Sequence, residues 1–178
     1  MYDLKNAMAE LVDIYRHDFL NTLQVISGLA QLNRTDKLMA YIRSVSEEVQ
    51  QFGKLINCGD PRLALLIYKE LLQFLGGNYL LDVKETMPLL PVETLEGLEK
   101  TLLTLRRQLQ ETDQGQVAVS IDGKDYPKLT ISVSLEKEQD LFWGVVIAAS
   151  SENGMIASVR NGVDLLFNLD NSFALGEQ

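Results

Sequence analysis

Residues 2–33 contain no proline and one internal glycine, Gly28. On a helix that advances about 100° per residue, Leu4, Met8, Leu11, Tyr15, Phe19, Ile26 and Leu29 fall within one broad apolar arc. The segment therefore reads as a single long amphipathic helix. A short polar break follows at Asn33-Arg34-Thr35-Asp36, with Thr35 expected as the N-cap of a second helix. That helix carries Tyr41, Ile42, Val45, Val49, Phe52 and Ile56 on one stripe. Two helices joined by so short a turn must return antiparallel as a hairpin. Neither stripe is fully covered by the other helix alone. The expected solution is a second copy of the chain, giving a symmetric four-helix bundle; the alternative is packing against the rest of the same chain.

Asn57-Cys58-Gly59-Asp60-Pro61 closes the hairpin, with Gly59 as a stop, Asp60 as the next N-cap and Pro61 at a first helical position. A helix should follow from Pro61 to about Leu75, ended by Gly76-Gly77, and then a strand from Tyr79 to Glu85. Pro88 to Pro91 reads as a loop and Val92 to Glu111 as another helix. Gln116 to Asp122 and Lys128 to Glu136 alternate apolar and polar residues, as half-buried strands do. Glu138 to Ser150 fits a buried strand as well as a helix on pattern alone. Met155 to Arg160 and Val163 to Leu169 flank Asn161-Gly162, a strong hairpin signal, and a polar tail follows Asp170. The fold class is thus α+β, with a helical N-terminal part and a largely antiparallel sheet after it.

Composition narrows the function. Sixteen Lys and Arg against 25 Asp and Glu leave a net charge of −9, which disfavours nucleic acid as a partner. The single Cys58 forms no internal disulfide, and one Cys with one His makes no structural zinc site. The amphipathic start is unlike a signal peptide, and the longest apolar stretch, near Leu141 to Ala149, is too short to span a bilayer. A cytoplasmic protein that engages neither membrane nor nucleic acid is expected.

The chain has one histidine, His17, on the first helix and roughly opposite the centre of its apolar arc, beside Asp13, Asn21, Gln24 and Gln31. The imidazole should stand in water. A solvent-facing imidazole on a rigid helix suits phosphoryl transfer, because an unprotonated ring nitrogen can attack phosphorus and hold it as a phosphoramidate. A partner can then bring its own active site, with a magnesium ion, up to the nitrogen. Asp13 and Asn21, one turn away on either side, are placed to orient the ring, and Arg16 to pair with an acidic site or the phosphate. An idle surface histidine is the plain alternative.

The run Arg16-His17-Asp18-Phe19-Leu20-Asn21-Thr22-Leu23-Gln24-Val25-Ile26-Ser27-Gly28-Leu29 resembles the phosphoacceptor helix of the sporulation initiation phosphotransferase B family. The related helix of citrate- and fumarate-type sensor histidine kinases shares its Arg-His-Asp, the Asn four residues on and the Leu-Gln…Ile-x-Gly-Leu run. The order of elements along the chain is also similar. The resemblance implies that residues 1–58 are a dimerisation and histidine phosphotransfer hairpin, with two hairpins forming a four-helix bundle. Residues 61–178 would be a degenerate α/β sandwich like the ATPase domain of a histidine kinase, with Glu138–Ser150 helical. His17 would be the phosphoacceptor, with Arg16, Asp18, Asn21, Gln24 and Asp13 supporting it or contacting a response-regulator receiver domain. The receivers would supply the Mg2+, and the chain would need no cofactor of its own.

The nucleotide motifs of such kinases are missing. The helix that should carry an Asn-rich ATP box, Leu98 to Gln108, has no Asn, and no Asp-x-Gly-x-Gly loop or P-loop occurs. Ser151-Glu152-Asn153-Gly154 is the nearest glycine turn. The reading is a phosphorelay phosphotransferase of sporulation initiation, homodimeric, passing phosphate between receiver aspartates through His17. The alternatives are a non-catalytic dimeric binding module and a divergent sensor histidine kinase.

Overall fold

A computed structural model describes residues 2–111, 114–135, 139–161 and 163–169. Helix α1 runs over Leu4–Gln31, and the Asp3 side chain caps it by accepting from Asn6 N. Asn33 takes a left-handed conformation with φ 53°. Its N–H donates to Ala30 O and that of Arg34 to Leu29 O, the paired bonds of a Schellman motif. That motif brings the chain to Arg34, whose carbonyl already accepts from Leu38 N at 2.9 Å. Helix α2 therefore spans Thr35–Ile56 with Arg34 at its N-cap and no side-chain cap bond. Thr35 is the first helical residue and not the expected cap, because the reversal ends one residue earlier.

Helix α3, Pro61–Ile67, continues through a π-helical turn, Tyr68–Leu72, into the short α4, Gln73–Leu75. The expected helix end at Gly76-Gly77 is present, with φ 57° and 88°. Strand β1 (Tyr79–Glu85) leads through α5 (Val92–Gln110) to β2 (Gln114–Asp122) and β3 (Lys128–Leu135). Helix α6 (Gln139–Glu152) settles the ambiguous segment as helical, and β4 (Ile156–Arg160) and β5 (Asp164–Asn168) are the last described elements. The sheet order is β1-β2-β3-β5-β4. Among the described residues only β1 and β2 pair in parallel, with α5 as their crossover; the other three pairings are antiparallel. Asn161 has the positive φ, 53°, of the predicted β4–β5 turn. Gly162 and the tail from 170 to 178 lie outside the described residues. Among the described residues no helix is long and apolar enough to cross a membrane.

Leu95, Leu98, Leu102, Leu105 and Leu109 on α5 are buried with Val117, Val119, Ile121, Leu129, Ile131, Leu165 and Phe167 of the sheet. The same continuous core takes in Leu11, Phe52, Leu55 and Cys58 of the hairpin. Burial pushes the Cys58 thiol up to about 11, which leaves it protonated. Helix α2 also covers the open edge of β1: Gln51 Oε1 accepts from Leu81 N and Lys54 Nζ donates to Leu81 O, both at 3.0 Å. Those contacts satisfy edge groups that would otherwise face water.

The hinge between hairpin and sheet is tightly packed. Gly59 has φ 108°, and a Cβ there would lie 2.2 Å from Met87 O. Asp60 is fully buried, accepting at Oδ1 from Arg62 N and Nε, both at 3.0 Å. Its Oδ2 accepts from Arg62 Nη2 at 2.8 Å and from Leu90 N at 2.9 Å, while Nη2 also donates to Leu90 O at 2.7 Å. Asp60 thus caps α3 as expected, and it also neutralises a buried guanidinium. Burial raises the Asp60 pKa, but the Arg62 hydrogen bond, the two backbone N–H groups and the Arg62 charge outweigh it and hold the carboxyl below its ordinary value.

Asp60→Ala leaves the Arg62 guanidinium buried without its partner and should cost about 3–5 kcal/mol in urea unfolding. Because the folded carboxyl binds its proton less readily than the unfolded one, Asp60 stabilises the fold fully above about pH 4 and loses that contribution as pH falls through its lowered folded value. Asp60→Asn should therefore remove part of the acid dependence of stability, read from urea midpoints across an acid series.

Candidate active site

His17 lies at mid-length on α1, and its side chain is 74% exposed, as the helical spacing requires. Both described contacts of the ring fall on Nδ1: Asp18 Oδ1 at 3.3 Å and Asn21 Nδ2 at 3.2 Å. A single ring nitrogen cannot donate to the carboxylate and accept from the amide at once. A carboxylate against an unprotonated Nδ1 would be repulsive, so the proton belongs on Nδ1, donated to Asp18. The Asn21 amide then turns its oxygen toward the ring, an orientation that the heavy-atom positions allow equally. In this tautomer Nε2 carries the lone pair.

The other sequence candidates separate. Asp13 pairs with Arg16 at 3.2 Å and not with the imidazole. Both side chains are about 70% exposed, 68% and 72%, so the pair exchanges readily with another anion. Gln24 is exposed two turns along the helix, where it lines a shallow depression with Leu20, Leu23, Ser27, Gly28 and Gln31. Asp18 does more than the sequence indicated. Its Oδ2 accepts from Tyr68 Oη at 3.0 Å, a contact across 50 positions of sequence. Burial first, and then the charge of Asp18 and the bond to it, raise the pKa of Tyr68, so its hydroxyl remains a donor at neutral pH. No spacing in the sequence pointed to Tyr68.

Much of the hairpin's apolar stripe is open. Leu11 and Phe52 are buried, but Met8, Phe19, Leu23, Ile42 and Val49 are exposed. Tyr15 stacks between Phe19 and Phe52, with ring centroids 6.2 and 5.4 Å away. Tyr15, Phe19, Leu23, Ile42, Val49 and Phe52 border an open groove of about 600 Å3 that runs between α1, α2 and the π-helical turn.

The segment nearest to a nucleotide loop is occupied by its own backbone. Gly154 has φ 70°, its N–H donates to Ser151 O and that of Met155 donates to Ser150 O. This is a Schellman stop to α6, and its amides face helix carbonyls instead of a phosphate. Gly97 of α5 abuts the same turn so closely that a Cβ would lie 2.7 Å from Asn153 O.

Residues 2–58 match the family described as sensor kinase SpoOB-type, alpha-helical domain. Among solved structures, the chain is similar to the blue-light activated histidine kinase EL346 of Erythrobacter litoralis, at 17% identity and a TM-score of 0.41. The overlap covers 98% of this chain and 63% of that one, so the chain spans less than two thirds of the kinase. No curated protein sequence matches significantly.

Titration of Mg-ATP into the whole chain should give no saturable heat, and incubation with labelled ATP should leave no phosphate on His17. Saturable binding with labelling would show that a nucleotide site exists elsewhere.

Proposed function

We propose, on the premise that residues 2–58 belong to the SpoOB-type sensor-kinase helical family, that this two-component signalling protein is a histidine phosphotransferase. His17 takes a phosphoryl group from the aspartyl phosphate of one receiver domain and delivers it to the aspartate of another, as in the phosphorelay of sporulation initiation. The observation that carries this reading is the setting of His17: Asp18 and Asn21 both lie against Nδ1, on a side chain that is 74% exposed, which leaves Nε2 as the nitrogen for attack. A nitrogen so placed is accessible to a partner that brings its own reacting group.

The partner is a receiver domain, and its active site supplies the magnesium ion that neutralises the phosphoryl oxygens. Arg16 releases Asp13 and pairs with the acidic receiver site or the phosphate. Asn21 and Gln24, with Leu20 beside them, form the rest of the contact along one helix face. The exposed stripe supports a homodimer, in which the groove bordered by Phe19, Leu23, Ile42 and Val49 is filled by a second hairpin. His17 lies away from that seam, so both copies can be served.

A receiver carrying labelled aspartyl phosphate, mixed with the chain in magnesium buffer without ATP, should transfer acid-labile, base-stable label to it. His17→Ala should abolish the label and leave the melting temperature unchanged. Absence of label from several receivers, each competent with another phosphotransferase, would favour the binding-module reading. In sedimentation the wild-type chain should be dimeric, and Val49→Glu should shift it to monomer without loss of helical circular dichroism. A wild-type monomer would remove the bundle from this proposal.

A further inference from the structure

We infer that Tyr68 is a positioning residue for His17, holding Asp18 so that the carboxylate fixes the imidazole with its proton on Nδ1 and its lone pair on Nε2. The consequence for transfer rests on the phosphotransferase reading; the positioning itself does not. Asp18 is exposed on α1, and a free aspartate there would sample several rotamers. Its Oδ2 is instead held by Tyr68 Oη at 3.0 Å, which turns Oδ1 toward Nδ1 at 3.3 Å. The tyrosine is itself fixed. Its ring packs edge-on against Phe52, with centroids 5.5 Å apart at 79°, and Phe52 stacks on Tyr15.

The backbone setting is a second and independent observation. Tyr68 opens the π-helical turn Tyr68–Leu72 between α3 and α4. Such turns are costly in a regular helix and occur often at functional sites. Here the turn sits where the α+β part meets α1, and its first residue carries the hydroxyl that reaches Asp18. The route thus runs from the body of the protein, through Tyr68 and Asp18, to a ring that otherwise stands free in solvent.

In the transfer step, the Nε2 lone pair forms the N–P bond while the O–P bond of the aspartyl phosphate breaks, and that bond's electron pair returns to the receiver carboxylate. No proton has to leave the ring, because Nδ1–H is retained. A positive charge develops on the imidazole, and the anchored Asp18 carboxylate offsets it. On the return step the same protonated ring is the better leaving group, since the N–P electron pair returns to a neutral imidazole as the acceptor aspartate bonds to phosphorus.

The test uses the fact that His17 is the chain's one histidine. Long-range 1H–15N spectra of the whole chain in alkaline buffer report its tautomer without interference. The wild-type chain should be mainly Nδ1–H; a mainly Nε2–H wild type would overturn the inference without any variant. Y68F removes only the hydroxyl and keeps the ring against Phe52, so it should shift the tautomer toward Nε2–H. Loss of one hydrogen bond to a charged group should also slow receiver-to-His17 transfer about fivefold, with melting and sedimentation unchanged. D18N severs the same link from the α1 side and should give the same tautomer shift, which covers the case in which Y68F folds poorly. If Y68F and D18N leave the tautomer unmoved while wild type accepts label, the positioning role fails and the phosphotransferase reading stands. If the tautomer moves but no receiver labels the wild-type chain, the positioning stands and the phosphotransferase reading fails.

Discussion

The arrangement depends on a buried ion pair at the hinge. Asp60 and Arg62 close on each other in a bidentate contact and together grip both backbone groups of Leu90. A charged pair is an expensive way to hold a core, and apolar residues of similar size often do it as well. What this pair adds is direction: four hydrogen bonds with fixed geometry set the angle at which α3 leaves the hairpin. With Gly59 pressed against Met87 there is no slack in the linker. The direction of α3 in turn decides where Tyr68 arrives beside α1. The hinge is distant from the histidine in function but sets the geometry on which the histidine's anchoring depends.

The His17 side chain sits on an open helix surface. Among the described residues no pocket encloses His17, and the neighbouring Arg16–Asp13 pair is weak and exposed. What the structure constrains there is the setting of a single ring. Two acceptor-capable side chains converge on Nδ1, and one of them is tied to the body of the protein. The constraint is local and leaves the far side of the ring open. An enclosed site could not admit a bulky macromolecular partner, and an unanchored imidazole would divide its population between two tautomers, only one of them oriented to react outward.

Elements written in short-range pattern were legible in the sequence. The strand Tyr79–Glu85 and the end of the preceding helix at Gly76-Gly77 follow from alternation and glycine chemistry. So does the exposure of His17, since helical spacing alone places it opposite Leu11 and Phe19. Three features were not legible, for physical reasons. The cap of α2 moved to Arg34 because a Schellman reversal at Asn33 uses the residue before Thr35. The π-helical turn has no periodic signature, being one extra residue in a helix of otherwise ordinary composition. The Tyr68–Asp18 bond joins positions 50 apart and depends on the hinge angle, which no local pattern encodes. Asp60 was legible as a cap but not as the partner of a buried arginine, because burial is decided by the loop through Leu90.

The contacts between the hairpin and the sheet bear on which chemistry the chain can perform. A nucleotide-bearing domain that phosphorylates a histidine on its own helices must approach the ring and then withdraw. Here the α+β part is fastened along the hairpin: Tyr2 to Glu99, Glu10 to Lys69, Asp18 to Tyr68, and Gln51 and Lys54 to the edge of β1. The buried side chains Leu11, Phe52 and Leu55 lie in the same core as the sheet. Separating the two would expose that core and open the edge strand together, a cost on the scale of unfolding and not of a hinge motion. The sheet part is therefore held against the hairpin as a brace. The same fastening is what delivers the Tyr68 hydroxyl to Asp18.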